Sequence, residues 1–314
     1  MTVMPPYGRL TERYQQQMNF SWKKSMLSSL FLSLSVLLPG CGEFMELQVG
    51  NSISEQPSFP AAGGVGQYEI TANDRDTSED NALIIDFNCL DEGTGTSYTY
   101  DGETLLISKA GTYVLKGSLS SSQLRIDVFE DEIVHLVLDN AEIAPANGAA
   151  IYVENAGKVI LTSKEGTENI LSDGFPSRKA EKACIFSNSD LTVNGSGVLC
   201  VYGYHFDGVR SKDQVKIIDT VLYAKAKGDG IRGNDGVIIT DSFTEIECEG
   251  TGLYSDSQKD IVAVQGGSCK IIAGKNAVSA SQYVSVKDCQ TDFYSIWEPV
   301  ACSGIQELDE DVLK

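Results

Sequence analysis

The chain is poor in histidine and in positive charge. Its 314 residues include only two histidines, His135 and His205, and 24 lysines and arginines against 44 acidic residues, a formal net charge of −20. Few imidazoles leave few candidate general bases, and the G-x-S-x-G motif of a hydrolase elbow is absent. The acidic balance argues against nucleic acid as a partner, because no basic patch is dense enough to bind phosphates.

Cysteine spacing provides no metal or redox motif. The chain has eight cysteines, and none of them forms a C-x-x-C or a zinc-binding spacing. Apart from Cys41, we expect the cysteines to be small buried residues of a core; one disulfide near the C-terminus stays an open alternative. These seven are Cys89, Cys184, Cys200, Cys248, Cys269, Cys289 and Cys302.

Apolar stripes at helical spacing are absent after the N-terminal segment, and a repeat is present instead. The segment YHFDGVRSKDQVKI around Asp207 returns as AKGDGIRGNDGVII around Asp229, 22 residues later. Weaker copies place Leu253 22 residues after Ile231 and Val278 25 residues after Leu253. A period of this size is one turn of a solenoid, in which each copy stacks on the next.

The repeat and its surroundings predict strands and turns. Apolar and polar residues alternate with period two, in segments rich in Val, Ile, Tyr and Thr and bounded by Gly, Asp and Asn. We therefore expect an all-β, single-domain, right-handed parallel β-helix of about nine coils over residues 81–305. His135, in IVHLVL, is expected in a strand. The inward stack would contain Val209, Ile231, Leu253 and Val278, and the outward stack Arg210, Arg232, Tyr254 and Ser279.

The first 41 residues predict an export signal. Met18 is the expected translation start, which leaves residues 1–17 as an extension. Lys23 and Lys24 precede an apolar run that ends at Leu38-Pro39-Gly40-Cys41, a tetrapeptide that resembles the lipobox of bacterial lipoproteins. We expect residues 18–41 to be the signal peptide and Cys41 to carry the lipid, so that the exported chain is anchored to a membrane of the bacterial cell envelope. The alternative, a transmembrane anchor, needs an apolar run of roughly 18 residues, and this one is shorter.

Two polar segments flank the expected β-helix. Residues 42–80 are polar and contain Gly and Pro, which is typical of a flexible tether to a surface. Residues 306–314 form an acidic tail. We expect that tail to be a solvated end of the chain.

The repeated aspartates form a candidate cation site. Stacking brings Asp207 beside Asp229 at a spacing of about 4.8 Å, and two carboxylates so close repel each other unless a cation or an arginine intervenes. Calcium takes oxygen ligands of this kind in flexible geometry. In the alternative interpretation, Asp-Gly and Asn-Asp only form turns, and Arg210 and Arg232 neutralise the row. The candidate calcium ligands are Asp207, Asp213, Asp229, Asn234 and Asp235.

At these residues the chain resembles bacterial carbohydrate-binding β-helix proteins that bind polygalacturonic acid and hold calcium along the helix. The resemblance is carried by the frame Asp-Gly-Ile/Val-x-Ser/Gly-x-Asp at 207–213 and 229–235. It also rests on KAGTYVLKGSLSSSQLRIDV, followed by HLVLDNAEI and GAAIYVENAGKVILTSKEGTENILSDG. Together these blocks cover most of the chain after the tether. The resemblance implies a non-catalytic, calcium-binding protein of the cell surface whose partner is an acidic polysaccharide. The frame departs from the pattern at Thr251 and Asn276, so calcium is expected around Asp207 and Asp229 only.

Three classes of function stay open. A carbohydrate-binding surface would contact sugars through Arg210, Arg232, Tyr254 and His205. A pectate-lyase-like enzyme would use Arg210 or Arg232 as a base, which requires a guanidinium to lose its proton, and a glycoside hydrolase would use the aspartate pair. Because that pair recurs in a repeated frame, we favour a binding role over a catalytic one. The third class is a structural or adhesive surface protein. Several tyrosines would then cover coil faces rather than stack on sugars: Tyr202, Tyr204, Tyr223, Tyr254 and Tyr283.

Overall fold

This computed structural model describes residues 68–176, 181–258 and 260–313. The expected start at Met18, the signal peptide, the lipidated Cys41 and residues 42–67 of the tether lie outside the described residues and stay predictions. Within the described ranges, no helix is both long enough and apolar enough to cross a membrane.

Alternating apolar residues and turn-forming Gly, Asp and Asn divide the chain into short strands. Two 3-10 helices, Ala72–Arg75 and Phe87–Cys89, lie near its start. The N-terminal strands are β1 (Leu83–Asp86), β2 (Gly93–Thr94), β3 (Tyr98–Tyr100), β4 (Thr104–Ile107), β5 (Gly111–Ser121), β6 (Gln123–Asp127), β7 (Ile133–Pro145), β8 (Ile151–Asn155), β9 (Lys158–Ser163) and β10 (Glu168–Ser172). Those of the middle coils are β11 (Ala183–Ser187), β12 (Asp190–Asn194), β13 (Val198–Gly203), β14 (Asp207–Ser211), β15 (Gln214–Ile218), β16 (Val221–Ala226), β17 (Ile231–Gly233), β18 (Gly236–Thr240) and β19 (Phe243–Cys248). The last are β20 (Leu253–Tyr254), β21 (Ile261–Gln265), β22 (Ser268–Ala273), β23 (Val278–Ala280), β24 (Tyr283–Lys287), β25 (Gln290–Ser295), β26 (Val300–Cys302) and β27 (Ile305–Leu308).

Three strands make one coil, and equivalent strands of successive coils pair in parallel. Column 1 contains β6, β8, β11, β14, β17, β20, β23 and β26. Column 2 contains β9, β12, β15, β18, β21, β24 and β27, and column 3 contains β10, β13, β16, β19, β22 and β25. The long strand β7 begins columns 2 and 3, because it pairs with both β9 and β10. The all-β, single-domain prediction is confirmed as a parallel β-solenoid of about eight turns.

The core consists of inward side chains that stack from coil to coil. Val209 pairs with Ile231, Ile231 with Leu253, and Leu253 with Val278, and all four are fully buried. Burying one such side chain contributes about 1.5–3 kcal/mol. Repetition of the inward position therefore makes one continuous core, as the sequence predicts.

The solenoid has fewer coils than the expected nine, because coil length varies. Val209 pairs with Ile231 after 22 residues, but Ile151 of β8 pairs with Ile185 of β11 only after 34 residues. In addition, β2, β3 and β4 pair antiparallel at the N-terminal end and add no regular coil.

Residues 68–80 pack against column 2, and we call them the N-terminal strap. Asp74 is fully buried in the first 3-10 helix. Its carboxylate accepts hydrogen bonds from Lys158 at 2.8 Å, Thr192 at 2.7 Å and Lys216 at 3.0 Å, which belong to β9, β12 and β15. Burial by itself would raise the pKa of Asp74, but these contacts, with a bond from Thr71, hold it well below its usual range.

The strap continues along the next coils at its N-terminal end. Tyr68 packs on a small cluster formed by Ile238, Ile261, Ala263 and Tyr283. The described chain is therefore attached to the solenoid from Tyr68 onward, ahead of the boundary at residue 81 expected from the sequence. The composition of the segment is polar because its buried contacts are ionic rather than apolar.

Two further expectations concern buried residues. His135 lies in β7, as predicted, with its Nε2 2.7 Å from Thr162 Oγ1. Five of the seven described cysteines are buried as expected, whereas Cys89 is exposed and Cys302 half-buried, and none of the seven forms a disulfide. The burial prediction is therefore wrong for Cys89, which ends the second 3-10 helix rather than occupying an inward strand position.

The acidic tail is only partly solvated. Residues 306–308 belong to β27, which pairs in parallel with β24. Val312 is buried in the core cluster. The end of the chain thus covers the last coil instead of extending into solvent.

Candidate functional site

The outward face of column 1 presents arginine and aromatic side chains in register. Arg210 pairs with Arg232, and Arg232 with Tyr254, as the repeat predicts. The row continues in the other direction through earlier coils, where Arg125 pairs with Tyr152, Tyr152 with Phe186 and Phe186 with Arg210. We call this row the arginine–aromatic column: Arg125, Tyr152, Phe186, Arg210, Arg232 and Tyr254.

Neighbouring members of this column stack through their flat faces. The guanidinium carbon of Arg232 lies 4.6 Å from the Tyr254 ring centroid, and that of Arg125 lies 5.6 Å from the Tyr152 centroid. Cation–π contacts of this kind contribute about 0.5–1 kcal/mol at exposed sites. Planar groups held edge to edge along a rod provide a flat surface on which a sugar chain can lie.

The aspartates beside this column fasten one coil to the next. Asp207 Oδ1 accepts the backbone N–H of Asp229 at 2.8 Å, and Asp229 Oδ1 accepts the backbone N–H of Thr251 at 2.8 Å. Their second oxygens lie 3.4 Å from Arg210 Nη1 and 3.5 Å from Arg232 Nη1. The alternative interpretation of the repeat, with turn aspartates neutralised by arginines, thus describes these contacts. Thr251 can replace an aspartate because it acts here as the donor.

The protonation of Asp207 is perturbed by its surroundings. Burial raises the pKa of Asp207 to about 6, and the nearby Asp229 carboxylate adds to the effect. The Asp229 N–H and the charges of Arg210 and Arg232 oppose it, because they favour the ionised form. Part of the population of Asp207 is therefore neutral in mildly acidic solution.

The other predicted metal ligands lie at the far end of the strands. Asp213 and Asn234–Asp235 follow β14 and β17, whereas Asp207 and Asp229 precede Arg210 and Arg232. The structure therefore brings Asp207 to Asp229, and Asp213 to Asp235, but does not join the two pairs. Burial raises the pKa of Asp213, as do the charges of Asp190 and Asp235. Asp190 is thus a third carboxylate at this turn, which the sequence analysis did not include.

Calcium does not fit well between Asp207 and Asp229. One oxygen of each carboxylate is occupied by a backbone N–H and the other lies beside an arginine, which leaves no free set of oxygens for a cation. Across the described ranges, no cluster of three or more His, Cys, Asp or Glu side chains is arranged to hold a metal ion by itself. Calcium binding stays a prediction, and the acidic turn at Asp213 and Asp235 suits it better.

His205 lies apart from the arginine–aromatic column. Its backbone N–H donates to Asp173 Oδ2 at 3.1 Å, and its ring Nδ1 is 3.5 Å from Asp173 Oδ1. The Phe175 ring lies 5.4 Å from the imidazole. The turn before β14 is therefore fixed by Asp173, and His205 is a candidate contact at the edge of the site.

The sequence analysis missed half of the column: Arg125, Tyr152 and Phe186. The coils that contain them are longer than the repeat at Asp207, so no fixed spacing relates them to Arg210. The alternation in QLRID and in AAIYVEN marks the outward positions of Arg125 and Tyr152, but not which residues of other coils they face.

Comparison with known proteins gives concordant results. A sequence model of the family described as carbohydrate-binding domain-containing protein matches residues 101–297. A carbohydrate-binding domain-containing protein of Acetivibrio thermocellus is 30% identical over 303 residues, which are 93% of this chain and 98% of that protein. A solved structure, the polysaccharide lyase-like protein from C. thermocellum in a gadolinium derivative, superposes with a TM-score of 0.69 at 25% identity. That match covers 73% of this chain and 96% of the other.

Proposed function

Because the chain belongs to the family of carbohydrate-binding domain-containing proteins, we propose that it binds an acidic polysaccharide without cleaving it. The observation that carries the proposal is the arginine–aromatic column, whose side chains stand in register over successive coils. Aromatic faces accept the apolar faces of sugar rings, and arginines form paired hydrogen bonds with carboxylates such as those of uronic acids.

The same contacts argue against a lyase that uses Arg210 or Arg232 as its base. Arg232 Nη2 lies 2.6 Å from Asp256 Oδ2, and both arginines lie beside an aspartate of the ladder. Paired carboxylates stabilise the guanidinium as a cation, whereas a base must give up that charge. The lyase remains the second candidate because the solved neighbour is called polysaccharide lyase-like.

The proposal includes calcium at the acidic turn formed by Asp213, Asn234 and Asp235. These oxygens and those of Asp190 are the hard ligands that calcium prefers, and the carboxylates repel one another without a cation. In this arrangement calcium would supply charge compensation at the turn, and the polysaccharide would lie on the neighbouring outward face. The lipid anchor at Cys41 would hold the protein at the cell envelope.

Affinity electrophoresis in gels containing polygalacturonate, with calcium or with a chelator, tests the proposal. We expect retention of the wild-type protein and a loss of retention when Arg232 and Tyr254 are replaced by alanine. Incubation with the same polymer should produce no unsaturated product absorbing in the near ultraviolet. Accumulation of that product would identify the protein as a lyase, and absence of binding to any glycan would favour a structural surface protein.

A further inference from the structure

A groove runs along the corner between columns 3 and 1, in the turn that precedes the aspartate ladder. Its volume is about 720 Å³, and residues from five successive coils line it, from Tyr204 at one end to Ile296 at the other. The small residues Gly203, Ala226, Cys248 and Ala273 pair in register along its bottom. Where these strands end, the lack of large side chains makes the corner concave.

Aromatic side chains lie at both ends of this corner groove. Tyr204 stacks on Tyr202 with ring centroids 5.7 Å apart, yet 58% of Tyr204 is exposed. Trp297, next to Ile296, is also 58% exposed, and Ile296 is 80% exposed. Exposed apolar side chains gathered at a groove mark an interaction surface more often than a chance arrangement. Nothing in the described chain covers them.

The length of the groove suits an extended chain. Tyr202, Lys225, Glu247, Ile272 and Tyr294 pair in register along one rim, which makes four steps between coils. Four steps of a parallel sheet span about 19 Å. The groove therefore runs parallel to the solenoid axis, which favours a linear polymer over a compact ligand.

The charges of the groove favour an anionic ligand, although the whole protein is acidic. Lys225 is paired with Glu247 at 2.7 Å. Lys227 and Lys275 form no ion pair within the described ranges, and Lys275 Nζ lies 5.9 Å from the Trp297 ring centroid. Two ammonium groups without a carboxylate partner thus stand at a rim that also has stacking surfaces. A carboxylate of a sugar would complete their pairing.

We infer that the corner groove is a binding site for a uronate-containing oligosaccharide, which lies along the solenoid axis with its sugar rings on Tyr204 and Trp297. The inference rests on the proposed function, since it assigns a second binding surface for the same class of polymer. The two surfaces adjoin: each coil passes from the groove to the ladder within a few residues, as from Lys227 to Asp229. One chain in the groove and one on the arginine–aromatic column would make the protein a cross-linker of polysaccharide.

Titration calorimetry with tetragalacturonate and with a neutral tetrasaccharide tests the inference. We expect tetragalacturonate to bind more tightly than the neutral sugar, and the Tyr204→Ala and Trp297→Ala variants to bind it about tenfold more weakly. Phe129→Ala is the matched control, because Phe129 is an exposed aromatic outside the groove. Lys227→Glu should weaken tetragalacturonate binding but leave binding of the neutral sugar unchanged.

Tryptophan fluorescence provides a local readout. The chain has two tryptophans, Trp22 and Trp297, so a saturable change in emission that disappears in Trp297→Phe places the sugar at the groove, while affinity is kept by the phenyl ring. If the wild type binds the sugar but the groove variants bind like Phe129→Ala, the groove assignment is wrong and the proposed function stands. If the wild type binds neither uronate nor neutral glycan, both are wrong.

Discussion

Asp207 and Asp229 are joined through the backbone rather than through a shared ion: the carboxylate of Asp207 accepts the N–H of Asp229 at 2.8 Å, one coil further along. The same device recurs where Asp229 receives the N–H of Thr251 and where Asp260 receives those of Ser281 and Gln282. The repeated aspartate is therefore first a fastener between coils, and it holds the neighbouring arginines at the surface.

Replacing Asp207 separates the hydrogen bond from the charge. Because the folded state raises the pKa of Asp207 to about 6, it binds a proton more tightly than the unfolded chain, and this group lowers stability as pH rises from about 4 to 6, by about 3 kcal/mol in all. Asp207→Asn should remove that decline, so that its stability relative to wild type increases with pH. Asp207→Ala should lie about 1–3 kcal/mol below Asp207→Asn, because the Asp229 N–H loses its acceptor.

Urea unfolding at several pH values measures both effects. The exposed Asp292→Asn is the control and should follow the wild type at every pH. A wild type and an Asp207→Asn variant with parallel pH profiles would contradict the raised pKa.

Asp74 should be the most sensitive position of the strap. In Asp74→Ala, Lys158 and Lys216 keep their buried positions but lose the carboxylate between them, which should lower the free energy of unfolding by about 3–5 kcal/mol. Since the contacts hold the pKa of Asp74 below its usual range, this contribution is present above the usual aspartate pKa and disappears as pH falls below it.

Thermal unfolding of Asp74→Ala beside Asp76→Ala checks this prediction. Asp76 is exposed, so its substitution should change the melting temperature little. Replacing Asp74, Lys158 and Lys216 together by apolar residues should recover most of the lost stability. An Asp74→Ala protein as stable as Asp76→Ala would show that the strap contributes nothing.

Calcium, if bound at the acidic turn, should stabilise the folded state by mass action. We expect millimolar calcium to raise the melting temperature of the wild type, and the Asp213→Asn/Asp235→Asn double variant to lose that rise. Asp207→Asn should retain it, because Asp207 already binds the next coil. Equal behaviour of the three proteins with and without a chelator would remove calcium from the proposal.

Binding at the arginine–aromatic column should depend on planar stacking as well as charge. Arg232→Lys keeps the charge but loses the flat contact at 4.6 Å with Tyr254, so we expect it to bind polygalacturonate more weakly than wild type. Tyr254→Phe keeps the ring and should bind nearly as well. Quantitative affinity electrophoresis compares them; full binding by Arg232→Lys would indicate that charge alone matters.

Alkylation should distinguish the cysteines. Burial raises the pKa of Cys248 and of Cys269 to about 12, so the reactive thiolate is scarce and inaccessible there. With iodoacetamide at neutral pH, we expect mass spectrometry to find rapid modification at Cys89 and Cys302, and modification at the other described cysteines only after denaturation. Native-state labelling of Cys269 as fast as that of Cys89 would contradict the described core.

The sequence predicts the parts of this structure that repeat. A constant spacing of 22 residues is enough to place Arg210 beside Arg232 and Asp207 beside Asp229, because strands in a parallel stack keep their register. The role of those aspartates did not follow from the pattern, since the same residues serve a cation site and a hydrogen-bonded turn.

Contacts without a period could not be predicted in this way. Asp74 lies 84 residues from Lys158 and 142 from Lys216, and its own segment, TANDRDT, has the composition of a linker. Only the fold brings the two lysines of columns formed by different coils to one carboxylate. Phe186 joins the arginine–aromatic column in the same way, through a coil of irregular length.

The strap also changes how the molecule should come apart. In a solenoid, each coil contacts only its neighbours, so unfolding can begin at one end and proceed coil by coil. Asp74 connects three successive strands of column 2 at once, and Tyr68 reaches the following three. A pull on the chain at Tyr68 is therefore shared among six rungs as shear instead of peeling the first coil, and the middle of the rod unfolds as one cooperative block.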